Sequence, residues 1–409
     1  MGVKRCRVCK HENLHKFLEL GPTPLANNFL KREQLNSPEP SFPLDLCFCN
    51  NCGLVQLSYV VPPEMMFSHY LWVSGTSYTV PVHFQQLANE ATEIVNAGDD
   101  SLVVDIGSND GTLLKGFKNL GLKVLGVEPA TNIAKIARES GMETINSFFN
   151  ESAALKIVSE KGRAKIITAT NVVAHIDDLD NLLKGVKTLL EDDGTFVIEV
   201  PYLVDMIENN EFDTAYHEHL SYFAIKPLVK LFKIYDMEIF DVKRVPIHGG
   251  SIRVYVKRIS AKLFVTDAVK NLLDIEEKNA LHILDAYEKF AERIGTLREN
   301  LLSLLKELKM SGKRIIGYGA AAKGNTLLNY CKIDTTILDY IADKNPLKQG
   351  LYTPGTHIPV FGVEKIVEDK PDYILILAWN FADEIIKQQQ KFKDSGGKFI
   401  IPIPEPKII

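Results

Sequence analysis

Five of the six cysteines fall within the first 52 residues, as Cys6, Cys9, Cys47, Cys49 and Cys52, while Cys331 stands alone. Cys6-x-x-Cys9 and Cys49-x-x-Cys52 form two knuckles, each placing two thiolates on one tight turn. Two knuckles make the closed tetrahedral set of a structural zinc site. Four sulfurs leave no open position, so such a metal staples the chain rather than activating a ligand. Cys47 is a rival ligand, although Cys47-x-Cys49 is a less usual bite. In a reducing compartment this clustering points to metal rather than disulfides.

A second group of residues suits a nucleotide-like ligand. Val103-Val104-Asp105-Ile106-Gly107-Ser108-Asn109-Asp110-Gly111 runs from an apolar strand into a glycine-rich turn. Glycines there let the backbone approach a bound molecule closely. The spacing is not G-x-G-x-x-G, so the dinucleotide fingerprint is absent. The loop resembles motif I of class I methyltransferases, where it holds the methionine part of S-adenosylmethionine (SAM). Glu128 ends the next strand, 23 residues after Asp105. An acid at that strand end suits two ribose hydroxyls. Asn171 ends the fourth strand, where the same class lines the cofactor. Asp105, Gly107, Asn109, Gly111, Glu128 and Asn171 are therefore the cofactor candidates.

A third group can move protons. Tyr216-His217-Glu218-His219-Leu220-Ser221-Tyr222 follows the strand FVIEVPY. Histidine gains and loses a proton near neutral pH, and a neighbouring acceptor can fix its tautomer. The spacing is not H-E-x-x-H, which excludes a metalloprotease helix. His175, near the end of the preceding strand, could converge on the same pocket. A fourth group, Gly317-Tyr318-Gly319-Ala320-Ala321-Ala322-Lys323-Gly324-Asn325, is a second strand and glycine turn, and Asp343 ends the strand after it. It lacks the Gly-Lys-Ser/Thr of a P-loop, but a helix N-terminus after such a turn can bind phosphate.

These groups need elements to hold them. Prolines 22, 24, 38, 40, 43, 62 and 63 break most helices in the first 75 residues, so that segment reads as irregular and stapled. A helix is expected over 82–96. The apolar runs SLVVDIG, LKVLGVEP, AKIITATNVV and GTFVIEVPY then alternate with helical stretches, the pattern of parallel strands buried on both faces. IFDVKRVPIHGGSIRVYVKR has no helix between its halves and reads as an antiparallel hairpin closing that sheet. Residues 266–310 carry a 3.6-residue period, and a second α/β unit begins at Lys313. The 409 residues accordingly divide into a zinc module (1–75), a doubly wound Rossmann-like domain (76–260) and a C-terminal Rossmann-like α/β domain (261–409).

Composition narrows the class. Hydrophobic residues are 45% and charged residues 24%, the balance of a globular protein. A net charge of -5 leaves no electrostatic footprint for nucleic acid. No apolar run reaches the roughly 20 residues of a membrane span. The N-terminal residues have no apolar signal region, so a cytoplasmic protein, monomeric or weakly oligomeric, is expected.

Taken in order, the cysteine knuckles, the DIGSNDG loop, the YHEH segment and the C-terminal GYGAAAKGN and PGTHIP resemble one family along nearly the whole chain. These are the SAM-dependent C-methyltransferases of deoxysugar biosynthesis, which methylate C3 of a nucleotide-linked 4-keto-6-deoxyhexose. The resemblance implies a class I methyltransferase fold, a structural zinc on Cys6, Cys9, Cys49 and Cys52, and SAM as cofactor. It makes His219 the general base at C3, accompanied by Tyr216 and Glu218, with His175 and Tyr70 lining the pocket. It gives the C-terminal domain the nucleotide diphosphate, through Gly317, Gly319, Lys323, Asn325 and Asp343. Rival readings are methylation at C5 or of another nucleotide sugar, and a non-catalytic SAM and nucleotide-sugar binding protein, which would need no base.

Overall fold

The computed structural model describes residues 2–67, 73–76, 79–247 and 249–409. Tyr70 lies outside the described residues. Three sheets organise the rest.

The first sheet corrects the expectation of an irregular N-terminal segment. Strands β1 (Leu14–Thr23), β2 (Phe42–Cys49) and β3 (Val55–Leu57) pair antiparallel in that order. Proline excludes helix but not an edge strand, and Pro22 sits on the edge strand β1 beyond a register shift. The turn closing β2 into β3 is the second cysteine knuckle.

The central sheet carries the parallel runs read from the sequence. Its strands are β4 (Leu102–Ile106), β5 (Lys123–Val127), β6 (Thr144–Ile145), β7 (Ala164–Thr170) and β8 (Leu190–Pro201). After the short β9 (Ser221–Tyr222) come β10 (Met237–Val245) and β11 (Ser251–Arg258), the expected hairpin. The order is β10-β11-β8-β7-β4-β5-β6, with β11 antiparallel to both neighbours. This is the class I methyltransferase sheet. Strands β4 and β7 are almost wholly buried because helices cover both faces, which is why their sequences read as continuous apolar runs. The first covering helix is Thr79–Ile94, which buries Val80, Phe84, Leu87, Ala88 and Ala91 at helical spacing.

Strand β9 does not join the central sheet. It pairs with β3 and becomes the fourth strand of the N-terminal sheet. The residues just before it are the YHEH segment.

Two helices, Asp267–Lys278 and Leu284–Met310, lead into the third sheet. The sequence period ran through both, but residues 279–283 break it. The third sheet has β12 (Ile315–Tyr318), β13 (Ile341–Ala342), β14 (Val360–Phe361), β15 (Tyr373–Ile376), β16 (Lys398–Ile401) and β17 (Lys407–Ile408), ordered β14-β13-β12-β15-β16-β17. All are parallel except β17, giving the second α/β unit. Among the described residues no helix is long and apolar enough to cross a membrane.

Candidate active site

The cofactor candidates gather at the carboxyl ends of β4, β5 and β7. After β4 the chain turns through Gly107 (φ +67°), Asn109 (φ +50°) and Gly111 (φ +82°) before helix Thr112–Lys118. These left-handed conformations favour glycine and asparagine. Space also demands glycine here, since a Cβ on Gly107 would lie 2.4 Å from the Val172 side chain. Glu128 braces the turn. One of its oxygens accepts the Asn109 N–H at 2.9 Å and the other the Ala130 N–H at 2.8 Å. A carboxylate has about four acceptor positions, so the pair of oxygens retains capacity for ribose hydroxyls. Burial pushes the Glu128 carboxyl up from its ordinary range. Asp105 accepts the Thr168 hydroxyl at 2.6 Å, and burial, then the charge of Glu128, push it up to about 7. Asn171 is also left-handed (φ +57°) and donates its N–H to the Glu199 carbonyl at 2.7 Å. The donor set and the acid at the strand end fit SAM. Asp110, not singled out from sequence, accepts the Thr112 hydroxyl at 2.6 Å and the Gly75 N–H at 2.9 Å, while Asn109 Oδ1 accepts that of Ser74 at 2.9 Å.

The proton-moving residues divide into three directions. His219 Nδ1 lies 2.8 Å from the Thr214 carbonyl oxygen. A carbonyl only accepts, so Nδ1 carries the proton and Nε2 is the basic nitrogen of neutral His219. The His219 ring packs against Tyr216 (centroids 3.9 Å apart) and stacks on His175 (5.1 Å, 25° between planes). Burial pushes His175 down to about 4, so it is neutral at pH 7, and pushes the Tyr216 hydroxyl well above its usual range. His217 faces elsewhere: its Nε2 is 3.2 Å from the Phe42 carbonyl, a contact with the first residue of β2 in the N-terminal sheet. Glu218 is buried and accepts the Asn27 amide at 2.6 Å, facing the buried Lys348 ammonium of the C-terminal unit. His219, Tyr216 and His175 are thus brought together, and Glu218 looks the other way, toward the third sheet.

The four cysteines of the knuckles converge, with their Sγ atoms all within 4.8 Å of one another. Cys6 and Cys52 lie 3.4 Å apart and Cys9 and Cys49 3.6 Å. Zinc–sulfur bonds of about 2.3 Å in a tetrahedron place sulfurs about 3.8 Å apart, so the set fits zinc. Cys49, hydrogen-bonded by Cys52 and Cys6, is held low as the thiolate, and that bond pushes Cys6 up to about 12. A divalent cation relieves this mutual exclusion and lets all four ionise. Cys47 stays outside the set, and burial pushes its thiol up to about 11.

In the C-terminal unit, a Cβ on Gly319 (φ +89°) would meet Ala378 at 2.7 Å. A Cβ on Gly317 would meet Ile341 at 2.9 Å. Asp343 accepts the Ala320 and Asn345 N–H groups at 2.6 and 2.7 Å, holding the turn shut from the next strand. Asn325 is buried and donates to the Ala26 carbonyl at 2.6 Å. Lys323 sits 4.4 Å over the Trp379 ring and faces two buried acids of the catalytic domain, Asp213 and Glu211. Burial pushes these up to about 6 and about 8. Arg7, Asn27, Asp213, Lys348 and Trp379 were not anticipated. Arg7 had one local signal, its place inside the first knuckle; the others had none, because their partners are far away in the chain.

Three family models match the chain: "Putative zinc binding domain" at residues 6–67, "Methyltransferase domain" at 84–242 and "C-methyltransferase C-terminal domain" at 246–404. The C-methyltransferase NovU of Streptomyces niveus is 38% identical over 407 residues, covering 100% of this chain and 97% of that protein. Solved structures align over less of the chain. The YcgJ protein of Bacillus subtilis is 14% identical over 43% of this chain and 98% of its own, with a TM-score of 0.34. The PH0226 protein of Pyrococcus horikoshii is 12% identical over 48% and 98%, with a TM-score of 0.36. With three domain models in register and a full-length relative, the chain belongs to the C-methyltransferase family, SAM-dependent enzymes that carry an N-terminal zinc-binding domain and a C-terminal domain of their own.

Proposed function

We propose that this C-methyltransferase transfers the SAM methyl group to C3 of a nucleotide-linked 4-keto-6-deoxyhexose. The observation that carries the reading is the Nδ1–H of His219 donated to the Thr214 carbonyl at 2.8 Å, which makes Nε2 a base beside Tyr216 and His175. A carbon next to a ketone is acidic because the carbonyl oxygen takes up the charge, so the site needs a base and a donor near that oxygen. His219 Nε2 is the base in this reading. Tyr216, kept protonated far above neutral pH, and Tyr70 are candidate donors. Neutral His175 backs the base without adding a competing charge. SAM supplies the electrophilic methyl at the DIGSNDG loop, held by Asp105, Gly107, Asn109, Gly111, Glu128 and Asn171.

In the same reading residues 1–75 form the zinc module, 76–260 the SAM domain and 261–409 the domain for the nucleotide diphosphate. Gly317, Gly319, Lys323, Asn325 and Asp343 surround the turn expected to meet that diphosphate. Support comes from Lys348, a buried cation whose ammonium donates to the Ala320 carbonyl of that turn at 2.6 Å, and from Lys323, half-buried in the helix that follows it.

The test is incubation with SAM and a panel of nucleotide-linked 4-keto-6-deoxy sugars, read by mass spectrometry for one added methyl. Substrate deuterated at C3 should lose the label on methylation; retention of that label with methylation would move the reaction to C5. No methylated product across the panel refutes the sugar reading.

A further inference from the structure

Arg7 stands between two zinc ligands, Cys6 and Cys9, yet its side chain leaves the knuckle. The guanidinium is buried. Nη1 donates to the Leu220 carbonyl at 3.0 Å and to the Leu57 carbonyl at 3.3 Å. Nε donates to Asp177 at 2.8 Å. Leu220 follows His219, and Asp177 lies two residues beyond His175. One side chain therefore grips both segments whose rings stack at 5.1 Å.

Neighbouring backbone and side-chain bonds reinforce the grip. Leu220 N–H donates to the Ala174 carbonyl at 2.8 Å, and its carbonyl also accepts Leu57 N–H at 3.0 Å. Arg7 N–H is fixed by Gln56 at 2.9 Å. Lys10, on the same knuckle, pairs with Asp180 at 2.8 Å, so the knuckle docks on the whole 177–180 stretch. A buried guanidinium is expensive to desolvate, and a surface hydrogen bond would serve the sheet more cheaply. Its five donors in a rigid plane let it address a carboxylate and carbonyls at once, which lysine does not reproduce.

We infer that Arg7 is a positioning residue, which transmits the geometry of the metal knuckle to the paired His219 and His175 segments and sets the direction of the His219 base. This rests on His219 being the base. The partners of the guanidinium are Asp177 and the Leu57 and Leu220 carbonyls, and no cofactor candidate is among them, so the effect falls on proton abstraction and not on cofactor binding.

The test compares the full-length zinc-loaded protein with Arg7→Met and, as a control, Arg5→Met, whose exposed side chain pairs with the exposed Glu12. Zinc content and SAM affinity should be unchanged in both. In deuterated water, exchange of the hydrogen next to the substrate ketone should fall about a hundredfold in Arg7→Met, the scale of a small misplacement of reacting groups, and stay at the wild-type rate in Arg5→Met. Nitrogen-15 spectra of the histidines give a readout independent of turnover: the Nδ1–H signature of His219 and the His175 ring signals should shift in Arg7→Met. Wild-type exchange, or unshifted histidine signals, in a zinc-loaded Arg7→Met protein overturns the inference. If Arg7→Met does not fold, Asp177→Asn removes the ion pair from its exposed side, and should shift the His175 signals and slow exchange; no effect there also overturns it. If the wild type exchanges no ketone substrate, the sugar reading fails, and the histidine spectra still decide the role of Arg7.

Discussion

The indole N–H of Trp379 donates to the carboxylate of Asp213 at 2.7 Å, across 166 residues of chain. Lys323 lies over the same indole, so donor, buried acid and counter-ion form one half-buried junction between the catalytic domain and the C-terminal unit. Trp379→Phe keeps the ring but leaves the acid without its donor. The loss should be about 1–3 kcal/mol of unfolding free energy, measured by urea denaturation. An unchanged midpoint would show that the junction contributes nothing.

Metal analysis of purified protein should find about one zinc per chain. Cys9→Ser or Cys49→Ser should reduce that content and lower the melting temperature, because the knuckles are the staple of the N-terminal sheet. A metal-free protein with wild-type melting would refute the site.

Glu128→Ala should weaken SAM binding by roughly 1.5–3 kcal/mol for each charged hydrogen bond lost, read by calorimetry. It should also lower thermal stability, since the Asn109 and Ala130 N–H groups lose their acceptor. Unchanged affinity would place the ribose elsewhere.

His219→Asn should reduce kcat by about 10²–10⁴-fold while SAM still binds. His217→Asn should cost less rate and more stability, because His217 spends its Nε2 on the Phe42 and Pro43 carbonyls. Equal rate losses in the two variants would contradict the division of labour.

The carboxyl of Asp105, pushed up to about 7, gives a pH dependence with a definite sign. A cation bound nearby favours the ionised acid, so SAM, positively charged at sulfur, should bind more tightly as pH rises through 7 and release protons on binding below it. Without SAM the sign reverses. The fold favours the protonated acid, so stability should fall as pH climbs from the ordinary carboxylate range through about 7. Asp105→Asn should flatten both curves; calorimetry in buffers of different ionisation enthalpy counts the protons.

What could be read from sequence was local. The knuckles, both glycine turns and Glu128 depend on spacings within a few dozen residues, and the parallel strands announced themselves as apolar runs because both faces are covered. The N-terminal strands were missed because proline on an edge strand looks like disruption. The divergence of His217, Glu218 and His219 was only half legible. Alternation in an extended segment separates neighbours, but only the contacts with Phe42, Asn27 and Thr214 show where each goes. Asn27, Lys348 and Asp213 were invisible, since buried polar groups acquire meaning from partners that folding supplies.

The completion of the N-terminal sheet by β9 has a consequence on the ribosome. Strand β3 is made early, but its partner emerges roughly 160 residues later, about ten to thirty seconds afterwards at 5–20 residues per second. For that interval β3 presents an open edge able to pair with another nascent chain. Early capture of zinc by the two knuckles would hold the half-built sheet in register until Ser221 and Tyr222 arrive, making metal supply a determinant of yield as well as of stability.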